Sequence, residues 1–173
     1  MQTLALIANL LGLGLAITAS LIKGKKIGMI LVFVLFSNFM IASGYLLAGT
    51  GMNGAASCLL ACVQVIINSV FESKNKPIPK WLIGIYLLSF IAVNILVGSL
   101  GIATVIAVLA CSAFVASISQ KNGKGYRICT IANCILWLTY DILTTSYSAI
   151  ITHGVLLAVS VAGLLMHDIK KNK

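Results

Sequence analysis

Seven apolar stretches, each near twenty residues long, run almost end to end through the chain, at about 3–22, 27–48, 52–71, 81–98, 100–118, 127–145 and 148–167. The hydrocarbon core of a bilayer is about 30 Å thick, and a helix crosses it in roughly 20 residues. Stretches such as 27–36 are apolar on every face. A membrane β-strand would instead alternate polar and apolar residues in segments of about ten. A helix also satisfies its own backbone hydrogen bonds in lipid. The expectation is an all-α integral membrane protein with seven transmembrane helices and short loops. Composition excludes the soluble alternative. Of the 173 residues 60% are hydrophobic and 9% are charged, where a soluble domain carries about a quarter of its residues as charged types.

The charges are ordered. All twelve basic residues fall in four clusters: Lys23, Lys25, Lys26; Lys74, Lys76, Lys80; Lys121, Lys124, Arg127; and Lys170, Lys171, Lys173. The joins near residues 50, 99 and 147 carry none. Basic residues near span ends stay on the cytoplasmic side. Seven spans put every cluster on that side, with the N-terminus outside and the C-terminus cytoplasmic. The net charge of +9 then reads as topology plus attraction to anionic membrane lipids, and nucleic acid is not expected as a partner. Met1-Gln2-Thr3 lacks a basic leader region, so the first apolar run reads as a retained helix rather than a cleaved signal.

Residues about 9–72 and 104–167 also read as two copies of one three-helix unit. At an offset of 95, Asn38 pairs with Asn133, Tyr45 with Tyr140, Thr50 with Thr145 and Ser57 with Thr152. The expected organisation is 3+1+3: residues 1–72 as a first three-helix repeat, 73–99 as an inner loop and linker helix, and 100–173 as a second repeat with a basic cytoplasmic tail. The odd helix gives both copies the same orientation, the plan of parallel-repeat transporters.

Asn133-Cys-Ile-Leu-Trp137-Leu-Thr-Tyr140-Asp141 in segment 6, echoed by Asn38 and Tyr45 in segment 2, resembles the substrate-facing stretch of the SWEET and bacterial nicotinamide riboside transporter group. The small size and compact loops look most like bacterial inner-membrane proteins of the YgjV type. The resemblance implies a carrier of a small polar solute in the bacterial cytoplasmic membrane, and family analogy allows a homo-oligomer. The prolines that bend helices in that group are absent from the spans here. Only Pro77 and Pro79 occur, both in a loop, and Gly12, Gly14 and Gly44 are the substitutes on offer.

Polar residues inside the spans are the candidate site. Asp141 is the one acid placed within a predicted span. A carboxylate at such depth costs several kcal/mol, so it faces the bundle interior or stays hydrated near the outer interface. A proton, a cation on the substrate, or His153 would pair it. Asn133, Trp137 and Asp141 are spaced by four and share a helix face, extended by Thr130. That face is either a pocket wall or packing between helices. Tyr140, one residue off, joins the pocket or lies at the interface. His153 either carries protons with the acid or is a neutral hydrogen-bonding residue. Gln64 and Asn68, with Ser57, Asn9, Ser20 and Asn38, would form the opposing wall.

Cys58, Cys62, Cys111, Cys129 and Cys134 read as small apolar filler, with a soft-metal site at Cys58 and Cys62 as the alternative. Glu72, His167 and Asp168 read as solvated surface. No catalytic or phosphate-binding motif is present, so no enzyme, metal or cofactor is expected. A membrane carrier working by facilitated diffusion or proton coupling is the leading function. A non-transporting receptor, scaffold or assembly partner is the alternative, and a membrane enzyme comes third.

Overall fold

A computed structural model describes residues 2–22, 27–49, 51–98 and 101–166. The basic residues at 23–26 and 170–173, with Thr50, His167 and Asp168, lie outside the described residues. The described residues form seven helices: α1 (Gln2–Leu21), α2 (Ile27–Ala48), α3 (Met52–Ser73), α4 (Lys80–Val97), α5 (Ile102–Ile118), α6 (Gly123–Leu143) and α7 (Tyr147–Leu164).

Their ends follow from local chemistry. Gly49 takes a positive φ of 68° and its N–H bonds back to the Tyr45 carbonyl at 3.1 Å, a left-handed stop for α2. Asn75 (φ 50°) does the same work after α3, and Pro79 opens α4. The start of α6 lies at Gly123 rather than 127, because the Asn122 side chain accepts the Gly125 N–H at 2.8 Å and caps the helix ahead of its apolar run.

The expectation of seven transmembrane spans is corrected. Among the described residues five helices, α1, α2, α3, α4 and α7, are long and apolar enough to cross a membrane. α5 has only 17 residues, and α6 is diluted by Lys124, Arg127, Asn133 and Asp141. The orientation drawn from seven spans, N-terminus outside and C-terminus cytoplasmic, loses its basis with them.

The 3+1+3 plan of two parallel repeats is corrected too, because paired residues do not share surroundings. Asn38 donates to Val34 of its own helix, whereas Asn133 donates across to Ala110 of α5. Tyr45 donates to Asp141, whereas Tyr140 packs edge-on against Trp137. Ser57 accepts from Asn94 of α4, whereas Thr152 bonds within α7. The matches at offset 95 reflect residue type, not a repeated network.

Packing closes a ring. α1 touches α2, α2 touches α3, α3 touches α5, α5 touches α6, α6 touches α7, and α7 returns to α1, while α4 leans on α3 and α5. The α1–α2 seam is close. Ser37 donates to the Gly12 carbonyl at 2.8 Å, and a Cβ on Gly44 would strike the Asn9 carboxamide. Gly12 and Gly44 thus serve close approach. Apolar side chains such as Leu88, Leu96 and Ile102 point away from the ring and are exposed, a surface suited to lipid tails.

Candidate functional site

α6 brings its polar face inward. Thr130, Asn133, Trp137 and Asp141 are all buried, as the four-residue spacing predicts. Asp141 is 0% exposed, buried within the bundle. Each of its carboxylate oxygens has one close partner. Tyr45 of α2 donates to Oδ1 at 2.6 Å, and Nδ1 of His153 on α7 lies 2.6 Å from Oδ2. Hydrogen bonds to a carboxylate are the strong kind, and here they tie three helices together. With a neutral His153, Nδ1–H donates to the carboxylate. With a protonated His153, the same contact is an ion pair. Both carboxylate oxygens are thereby hydrogen-bonded.

His153 carries this network to a cavity. Its ring stacks on Trp137, with centroids 6.0 Å apart and planes 13° from parallel. Trp137 is braced from behind by Tyr140, edge-on at 5.2 Å. The cavity sits inside the ring and receives side chains from all seven helices, with Ser37 and Asn38 of α2 facing Asn133, Trp137 and His153. About 70 Å³ of it is open to the centres of water-sized molecules, room for roughly five waters at 10–15 Å³ each. Among the described residues His153 is the one basic side chain on its wall, and no Lys, Arg, Asp or Glu lines it.

The expected site residues separate. Asn38, Asn133, Trp137 and His153 line the cavity. Asp141 stands behind His153, and Tyr140 behind Trp137. Asn68 is elsewhere: it lines a second cavity, accepts from Tyr86 at 3.1 Å and donates to the Ile118 carbonyl at 3.5 Å. Gln64 is 1% exposed, and neither its amide nitrogen nor its amide oxygen has a hydrogen-bond partner. Each such unpaired group costs on the order of 1–3 kcal/mol.

Sequence reasoning missed three features. Tyr45 was legible only as an echo of Tyr140, since its partner is far away in the chain. Cys58 and Cys111 line the cavity instead of serving as filler alone. Arg127 is 1% exposed rather than a loop charge. Its Nε donates to the Ser20 carbonyl at 2.8 Å and its Nη2 to the Ile22 carbonyl at 2.6 Å. A cation there satisfies the orphan carbonyls at the C-terminus of α1. Among the described residues no group of three or more His, Cys, Asp or Glu is placed to hold a metal ion.

Residues 2–171 match the bacterial inner membrane protein family Imp-YgjV. The chain belongs to this family. It is accordingly a multi-pass protein of the bacterial inner membrane, with lipid around its apolar exterior. No curated protein and no solved structure matches it, so the family assignment fixes the compartment while the chemistry must come from the site.

Proposed function

We propose that this protein is a carrier for a small, uncharged polar solute, moving it by facilitated diffusion or with a coupled proton. The carrying observation is the buried Tyr45–Asp141–His153 network at the edge of a cavity inside the ring of helices. Buried ionisable groups are weak sources of stability, and within membranes they mark solute paths and proton relays. The wall offers an indole for stacking and amides and hydroxyls for hydrogen bonds, the usual composition of a recognition pocket. Among the described residues no Lys, Arg, Asp or Glu lines it, so an ionic solute would meet a large cost of desolvation there. The likeness of the 133–141 stretch to the SWEET and nicotinamide riboside transporter group supports a small-solute carrier, without bearing on the solute's charge.

A cavity for about five waters is too small for a sugar or nucleoside, so such a solute would enter only after the walls part. The test is thermal stability of detergent-purified protein against a panel of uncharged nucleosides, vitamins and sugars. A ligand at about 100 times its Kd stabilises the folded state by about 2.7 kcal/mol. The expected result is at least one such solute that stabilises the wild type but not Asp141→Asn. A flat panel, together with one stoichiometric partner crosslinked in native membranes, would instead favour a scaffold.

A further inference from the structure

A second cavity lies at the end of the ring that carries Lys76 and Lys121. It is bounded by Ile27 and Leu31 of α2, Asn68 and Glu72 of α3, and the loops holding those lysines, with about 230 Å³ open to water-sized centres. The two cavities nearly meet. On α2, Val34 lines the central one and Leu31 the second. On α5, Ser117 lines the central one and the next residue, Ile118, lines the second. On α3, Ala61 belongs to the first and Asn68 to the second, about two turns apart on one helix face.

One apolar cluster supplies lining residues to both. Leu31, Val34, Val65, Ile118 and Tyr126 pack as one cluster, with Phe114 against it. Gln64 sits at the same level of α3, between Ala61 and Asn68. Its buried amide has both a donor and an acceptor unspent. Leucine would fill that space without leaving polar groups unpaired.

The geometry points to the two cavities being successive chambers of one path, closed from each other by the Leu31–Val34–Val65–Ile118–Tyr126 layer, with Gln64 supplying hydrogen bonds to the polar solute as the layer parts. This rests on the carrier reading above and gives it a route and a gate. The lysine-bearing chamber is the vestibule. The layer excludes water until α2 and α5 separate, and Gln64 replaces part of the hydration that the solute sheds in crossing.

Native cysteines test the route without knowledge of the solute. Cys58 and Cys111 line the central chamber, while Cys134 is buried off its wall. Silver ion is added to sealed vesicles whose lysine loops face the medium, as shown by tryptic cleavage after Lys74 and Lys121. Blocked thiols are then counted by mass spectrometry. Ile118→Ala and Leu31→Ala are expected to speed blocking of Cys58 and Cys111 several-fold, with Cys134 unchanged as the folding control. Gln64→Leu is expected to raise the melting temperature while slowing uptake of any transported solute, a pairing that a structural glutamine would not produce. The proposal is overturned if blocking is equally fast in wild type and Ile118→Ala, or if Gln64→Leu lowers the melting temperature and leaves uptake intact. Wild-type uptake without any effect of Ile118→Ala on blocking would sink this route and leave the carrier reading standing. Gated blocking with no solute moved would sink the carrier reading and leave the route.

Discussion

The central cavity is bordered differently at its two sides. Toward the Tyr45 side, the border is polar: one carboxylate held by a tyrosine and a histidine from two other helices. Toward Lys76 and Lys121, it is a layer of aliphatic side chains and one tyrosine, with an unpaired glutamine amide beside it. Hydrogen bonds are directional and break one at a time. An apolar layer is non-directional and yields by separation, at a cost set by exposed area. The polar side is therefore sensitive to single-atom changes and to protonation, and the apolar side is sensitive to volume.

The largest effect should come from breaking the polar side. Asp141→Ala leaves Tyr45 and His153 without their shared partner, and removing one member of a buried charged network costs about 3–5 kcal/mol. Detergent melting should show it, and a loss under 1 kcal/mol would mean that the carboxylate holds little together. On the apolar side, Ile118→Ala should cost about 2–4 kcal/mol by lost transfer energy plus cavity, with no dependence on pH over the range that titrates a histidine. A pH-dependent loss there would erase the contrast between the two sides.

Tyr45→Phe removes one hydrogen bond to a carboxylate and should cost about 1.5–3 kcal/mol. A double-mutant cycle with His153→Phe should be strongly non-additive, because both act through Asp141. Additive losses would show two independent contacts. The smallest effect belongs to the cavity wall. Trp137→Phe keeps an aromatic ring beside His153 and should cost about 1 kcal/mol, the scale of a single aromatic contact, while weakening the response to any stabilising solute.

Much of the fold was legible because apolar length alone marks a helix in this composition. All seven helices lie close to their expected bounds, and the late start assigned to α6 came from tracking hydrophobicity past an asparagine cap. What length could not supply was the number of membrane crossings. α6 hides its polarity against neighbours, and α5 is short. The site was half legible. Helical spacing put Asn133, Trp137 and Asp141 on one face, and His153 was named as a candidate partner for Asp141. Tyr45, Asn38, Gln64 and Asn68 come from other helices, and a sequence holds no record of helix rotation or depth. That is why the expected opposing wall divides among a central cavity, a barrier and a second cavity. The offset of 95 misled for the same reason, since alike residues at like spacing need not find like partners.

The most direct test of the carrier reading is uptake of the neutral solute panel into proteoliposomes holding wild type or Asp141→Asn. The reading predicts that at least one solute enters faster with wild type than with protein-free vesicles, and that Asp141→Asn, which keeps the shape but not the charge, abolishes the difference. Uptake that proceeds unchanged in Asp141→Asn would contradict it.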